Sequence, residues 1–211
     1  MSGAFPFRLY LVVSAAACKG RDLVEVTEAA IKGGVDLVQL REKDLGVQAF
    51  LDNALHLQEM LVRYNVPLII NDTLEVAKRS HAYGIHVGNN DMPPLQVRAE
   101  WDACRLLGYS IEYRGQLLNE QTAAADCLGI SPVFKSGTKQ DTVTEWGLDG
   151  LRAIRAITSK PLIAIGNMNA SNAYAAIKAG ADCIAVVSAI CAATDPAKAA
   201  YEIRNQLEKA I

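Results

Sequence analysis

Apolar positions in this chain gather into short runs that do not alternate with polar ones. Eight such runs occur, at residues 9–13, 37–40, 68–70, 85–87, 105–109, 127–130, 162–165 and 183–187. Near-continuous apolar character over so few residues predicts parallel strands covered on both faces. Between the runs the apolar spacing changes to that of a helix, first at Leu23, Val26, Ala30 and Ile31, then at Phe50, Leu51, Leu55, Leu57, Met60 and Leu61. Further helices are predicted over 148–157, 170–179 and 196–210. Gly33, Gly34 and Gly180 stand where helices should end before the next strand. Pro67 and Pro161 stand at strand openings, where a missing N–H is tolerable. Residues 169–172 and 194–196 read as helix starts, each with a capping side chain.

Eight strand–helix steps fill the chain without a linker or low-complexity segment. That count predicts one domain over residues 1–211, a (β/α)8 TIM barrel slightly below the usual size. The alternative, an open doubly wound sheet, would want a glycine-rich turn after its first strand. Ser14, Ala15, Ala16, Ala17 and Cys18 supply none.

Composition narrows the function classes. The 211 residues are 51% hydrophobic and 21% charged, with a net charge of −2. No basic excess points to nucleic acid, and no apolar run approaches the ~20 residues that span a bilayer. The first residues lack the basic and apolar regions of a signal peptide. The five cysteines are widely spaced and form no Cys-x-x-Cys pair, so neither a disulfide framework nor a zinc site is expected. A cytoplasmic location is the expectation, with Cys127 and Cys183 packing as small hydrophobes.

In a barrel of this kind the loops after the strands share one face, and the active site lies there. The second such loop begins with Gln39, Arg41 and Lys43, whose alternation points them the same way in extended geometry. An amide, a guanidinium and an ammonium suit phosphate oxygens. Asn71 and Asp72 follow the third strand, and Asn89, Asn90 and Asp91 follow the fourth. Two single carboxylates from adjacent strands match Mg²⁺ delivered with a polyphosphate, since Mg²⁺ takes one or two carboxylates plus phosphates and water. Capping is the competing reading for each acid, Asp72 of the helix that includes 73–76 and Asp91 of a turn before Pro93 and Pro94. Ser110 ends the fifth run. Lys135, Ser136, Gly137, Thr138 and Lys139 form a hydroxyl-rich loop suited to a phosphate monoester, or a plain polar turn. Gly166 and Asn167 follow the seventh strand, and Val187 and Ser188 close the eighth, where such barrels often bind phosphate. Gly166 would permit close backbone approach, with a helix N-terminus following. His56, His81 and His86 form no metal set and read as structural, the direction of His86 being undetermined.

These stretches in this order resemble the thiamine-phosphate synthase (thiamine-phosphate pyrophosphorylase) family. The resemblance rests on 38–44, 68–72, 84–93, 108–110, 129–139, 164–166 and 185–190. It implies a (β/α)8 barrel and a transferase. Such an enzyme joins 4-amino-2-methyl-5-(diphosphooxymethyl)pyrimidine to 4-methyl-5-(2-phosphooxyethyl)thiazole, releasing diphosphate with Mg²⁺ required. By position, the resemblance assigns Gln39, Arg41, Lys43, Asn71, Ser110 and Lys139 to the pyrimidine diphosphate. Of these, Arg41, Lys43, Lys139 and Ser110 are the expected catalytic set. Asp72 and Asp91 become metal ligands. Ser136, Gly137, Thr138, Gly166, Asn167, Val187 and Ser188 are assigned to the thiazole phosphate. The partners implied are small molecules, and self-association is compatible with the family.

Three positions depart from the family pattern: Ser136 replaces a threonine, Asn167 replaces a second glycine, and Glu112 stands where relatives often have histidine. The first keeps a hydroxyl and the second keeps a backbone N–H. Two rivals are a thiazole tautomerase-like paralogue and a non-catalytic barrel that binds thiamine precursors. The tautomerase branch tends to lose the Asn-Asp pair and to carry the histidine. A binding barrel is expected to have lost Arg41, Asp72 or Asp91. All of these residues but the histidine are present.

Overall fold

The computed structural model describes residues 5–135 and 144–210. In it the eight apolar runs become eight parallel strands in sequential order, closed by pairing of the last strand with the first. These are β1 (Leu9–Val13), β2 (Leu37–Leu40), β3 (Leu68–Asn71), β4 (Gly84–Val87), β5 (Leu106–Ile111), β6 (Cys127–Ile130), β7 (Leu162–Ala164) and β8 (Cys183–Val186). The connecting helices are α1 (Leu23–Lys32), α2 (Val47–Tyr64), α3 (Leu74–Arg79), α4 (Pro94–Glu100), α5 (Glu120–Ala124), α6 (Gly147–Arg155), α7 (Ala173–Lys178), α8 (Ser188–Cys191) and α9 (Pro196–Lys209). The architecture is the (β/α)8 barrel that the alternation predicts.

The strands are mostly apolar because each has two covered faces, and their few polar residues lie toward the C-terminal ends. Leu9, Leu11 and Val13 of β1 point outward into the layer shared with the helices, while Tyr10 and Val12 point into the barrel. The same parity puts Leu37, Ile69, Leu106, Cys127, Ile163 and Cys183 inside, where side chains fill the barrel as a packed core. Helix α1 lies against α9, and the contact is close. A Cβ at Gly33 would meet the Ala197 carbonyl oxygen at 2.2 Å, so only glycine fits.

Helix ends follow the sequence in one case and depart from it in another. Asp195 caps α9 by accepting from the Lys198 N–H at 2.9 Å. Residues 169–172 do not cap α7, which begins at Ala173 rather than at 170. Instead the Asn169 Oδ1 accepts from the Ser171 N–H and the Asn172 Oδ1 accepts from the Asn169 N–H, each at 2.9 Å. Those amides fold the loop on itself because a short polar side chain two or three residues from a free N–H competes with the helix.

The N-terminal rim of the barrel is fastened by a repeated device. Asp36, Asp126 and Asp182 stand immediately before β2, β6 and β8. Their carboxylates accept from the N–H groups of Leu9, Leu107 and Leu162, the first residues or nearly so of the preceding strands. Each also pairs with an arginine from a surrounding helix, Arg204, Arg98 and Arg155 respectively. The backbone bonds fix strand register, and the arginines tie strand to helix.

Candidate active site

The opposite rim holds a cavity of about 530 Å³. Its floor is set by the inward parity of the strands. Gln39 of β2, Asn71 of β3, His86 of β4 and Ser110 of β5 all face it. From the other side come Val12, Gly129, Ile163, Ile165, Ala185 and Val187. One half of the floor is therefore polar and the other half apolar or small.

The polar half is held in place by buried contacts. Gln39 is 4% exposed and donates to the Tyr10 hydroxyl at 2.8 Å. Burial raises the Tyr10 phenol well above its ordinary value, so the hydroxyl stays neutral. The His86 Nε2 lies 2.9 Å from the Ser110 hydroxyl. Glycines on the two neighbouring strands make that reach possible. A Cβ at Gly108 would sit 2.3 Å from the His86 Nδ1, and one at Gly129 would sit 2.9 Å from its Cε1. His86 is a cavity residue that the sequence left undirected, and the glycines at matching parity on β5 and β6 are the signal that could have placed it.

Asp72 and Asp91 converge. Asp72 follows β3 with φ of 60°, and its N–H donates to the His86 carbonyl at 2.9 Å. A non-glycine residue in the left-handed region carries strain of about 1 kcal/mol or more. Thr73, not Asp72, occupies the N-cap of α3, so the capping reading of Asp72 is set aside. Asp91 stands outside α4, whose N-cap is Pro93, and it does serve the turn before the two prolines. Its Oδ2 accepts from the Gly88 N–H at 2.8 Å and closes the loop after β4. Burial, followed by hydrogen-bonding and charge contact with Asp91, pushes the Asp72 carboxyl up to about 7. The Lys43 ammonium and the Asn71 side chain act in the opposite direction. Asn71, Lys43 and both acids thus share one corner of the mouth.

Arg41 and Lys43 line the same mouth, as their alternation predicts. The structure adds two acids to this wall, Glu42 and Asp44. Glu42 is partly engaged elsewhere, accepting from the Ala15 N–H at 2.8 Å and so holding the loop after β1. Asn89 and Asn90 do not line the cavity. The Asn89 Oδ1 instead accepts from the Tyr109 hydroxyl at 2.9 Å and from Gln116. Glu112 is likewise absent from the cavity wall, and its N–H donates to the Gln116 Oε1.

Gly166, Asn167, Val187 and Ser188 all line the cavity. Gly166 has φ of +109°, and a Cβ there would meet the Pro132 Cβ at 2.6 Å. The close approach it permits is thus to a neighbouring loop of the protein. The helix expected directly after it begins only at Ala173. Asn167 has φ of 51°, a region where asparagine is among the few tolerated side chains, which explains how it replaces glycine. Ser136, Gly137, Thr138 and Lys139 lie outside the described residues.

The donor set at the mouth is all oxygen, which suits Mg²⁺ rather than a softer ion. The Asp72 carboxyl, raised by burial and by its neighbour Asp91, also forms a place that a divalent cation would relieve. The described residues hold no cluster of three or more His, Cys, Asp or Glu arranged for a metal, so any ion would need further ligands from substrate or water. No helix among the described residues is long and apolar enough to cross a membrane.

Comparison with known proteins bears on the family and the fold. The family model described as thiamine monophosphate synthase matches residues 9–190. A thiamine-phosphate synthase from Albidiferax ferrireducens is 44% identical over 201 residues, covering 95% of this chain and 92% of that protein. One from Chloroflexus aurantiacus is 44% identical over 198 residues, covering 94% and 91%. Among solved structures, thiamine phosphate pyrophosphorylase from Pyrococcus furiosus superposes with a TM-score of 0.88 at 29% identity, covering 97% of each chain. A 3-hexulose-6-phosphate synthase superposes with a TM-score of 0.70 at 19% identity, a likeness of fold. The match to the family model over residues 9–190 and these high-coverage relatives place the chain in the thiamine monophosphate synthase family.

Proposed function

We propose that this protein joins 4-amino-2-methyl-5-(diphosphooxymethyl)pyrimidine to 4-methyl-5-(2-phosphooxyethyl)thiazole, giving thiamine phosphate and diphosphate with Mg²⁺. The observation that carries this reading is the divided cavity: Asp72, Asp91, Lys43 and Arg41 meet at one side, and an apolar floor with Val187 and Ser188 lies at the other. A diphosphate and an aromatic ring with a phosphate tail need such a split.

In this reading the bond between the pyrimidine methylene carbon and its diphosphate oxygen breaks, and the electron pair leaves with diphosphate. The aminopyrimidine ring bears the positive charge that develops on the methylene. The thiazole nitrogen then supplies its lone pair to form the carbon–nitrogen bond and becomes the cationic nitrogen of the product. No proton moves in that sequence, so no general base is required. Arg41 and Lys43 neutralise charge accumulating on the leaving diphosphate, an electrostatic role that gains strength in a dry site. Asp72 and Asp91 would hold Mg²⁺, which when bound supplies additional positive charge to the diphosphate oxygens. Gln39, Asn71 and Ser110 would hold the pyrimidine portion, His86 would orient Ser110, and Val187 and Ser188 would hold the thiazole phosphate. Fixing both partners in contact turns a bimolecular step into an intramolecular one. Ser136, Gly137, Thr138 and Lys139, which lie outside the described residues, keep in this scheme the roles that the resemblance implies.

The test is release of diphosphate from the purified protein given both substrates, with Mg²⁺ and with chelator. Turnover that needs the metal and falls at least about a hundredfold in Asp72→Ala supports the reading. Substrate binding without diphosphate release would favour a binding barrel instead. Turnover unaffected by chelator would remove the metal from the scheme.

A further inference from the structure

The N-terminal rim is fastened by aspartate–arginine pairs before β2, β6 and β8, but not before β4. There Tyr83 occupies the position that Asp36, Asp126 and Asp182 hold elsewhere. Where the device is missing, a groove of about 460 Å³ opens between the starts of β3, β4 and β5, at the far end of the barrel from the cavity described above. This volume lies within the range of small-molecule sites.

Three features of its wall point to one ligand chemistry. First, Lys78 and Arg105 both line the groove, and among the described residues no carboxylate does. Among the described residues neither side chain has an ion-pair or hydrogen-bond partner, whereas Arg98, Arg155 and Arg204 on the same rim are all paired. Unpaired cations facing a concave wall attract an anion. Second, the wall is aromatic. Trp101 is 8% exposed, and the Arg105 guanidinium lies 5.9 Å from the centre of the Tyr83 ring. Third, the Gln58 Oε1 is buried at the groove with no donor among the described residues. A buried acceptor left unmet is costly, and a ligand N–H would satisfy it.

We propose that this groove is a second binding site, for a heteroaromatic phosphate monoester. The phosphate engages Lys78 and Arg105, the ring lies against Tyr83 and Trp101, and a ring amino group donates to Gln58. The proposal does not rest on the reaction assigned to the barrel mouth.

Adenosine 5′-monophosphate is a suitable probe, since it carries a phosphate, a flat ring and an amino donor. Titration calorimetry on the full chain should show saturable binding at concentrations up to about 1 mM. Lys78→Ala combined with Arg105→Ala should weaken it at least about tenfold. Gln58→Leu, which leaves both cations in place, should also weaken it. Arg41→Ala should leave it unchanged, which separates this site from the barrel mouth. Adenosine and inorganic phosphate should each bind more weakly than the monoester. No saturable binding, equal affinity in the double variant, or loss in Arg41→Ala would each overturn the proposal. Inorganic phosphate binding as tightly as the monoester would overturn the ligand class.

Discussion

Asp72 and Asp91 come from successive strand ends to one corner of the mouth, and burial, reinforced by the neighbouring Asp91, pushes the Asp72 carboxyl up to about 7. An ordinary aspartate loses its proton near 4. Because the folded value is raised, the metal-free fold is favoured at low pH and loses that advantage as pH rises from about 4 through about 7. Asp72→Asn should therefore stabilise the metal-free protein at pH 8 by about 1–2 kcal/mol, allowing for partial solvent screening, and by little at pH 4. Thermal unfolding in chelator at both values measures it. An equal gain at both would show that ionisation is not the cause.

Gly108 is the seat of the His86 ring. In Gly108→Ala the new methyl would stand 2.3 Å from the His86 Nδ1, so the imidazole must leave its place beside Ser110. Stability should fall by about 1–3 kcal/mol, as for other overpacked cores. Turnover should fall further than substitution of His86 by Gln, which keeps a polar group in reach of Ser110. Chemical unfolding and steady-state rates on both variants decide this, and a fully active Gly108→Ala would show that the ring position does not matter.

The rim aspartates are predicted to serve stability without touching chemistry. Asp182 accepts from the Leu162 N–H at 2.8 Å and pairs with Arg155 at 2.9 Å. Asp182→Ala removes both bonds and should cost about 1–3 kcal/mol. Denaturant midpoints should shift while KM for either substrate stays unchanged. A change in KM would mean that strain at one rim reaches the other.

Ser188 opens α8 at the apolar side of the cavity, while the acids and Lys43 stand across it. Ser188→Ala should raise KM for the thiazole phosphate about tenfold, the worth of one charge-assisted hydrogen bond, with less effect on the pyrimidine diphosphate. Initial rates with each substrate varied in turn provide the measurement. Equal losses would dissolve the proposed division of the cavity.

The strands are legible in the sequence because a strand dry on both faces must be apolar all along. The same rule hides their ends. β5 continues through Ser110 to Ile111, and its inward serine breaks the apolar run two residues early. The loop residues of the mouth are legible because polar groups placed directly after apolar runs must share one rim. Asp72 and Asp91 belong to that set, and so do Arg41 and Lys43. Glu42 and Asp44 escaped because alternation alone assigns them outward, whereas the loop leaving β2 turns and carries them to the wall. His86 escaped because its direction depends on strand parity, which Gly108 and Gly129 reveal only once β4, β5 and β6 are aligned. The groove on the far rim has no local signature at all. Gln58, Lys78, Tyr83, Trp101 and Arg105 come from separate segments, and each alone looks like an ordinary surface or core residue.

Ring closure joins Leu9 to Ile184, residues from nearly opposite ends of the chain. A nascent polypeptide emerging from the ribosome cannot form that seam until β8 has cleared the exit, and until then β1 presents an unsatisfied edge. Such edges recruit foreign strands, and distant pairing is slow to form. Synthesis of this protein therefore includes an interval of exposure that ends only when β8 has joined β1 and α9 has settled on α1.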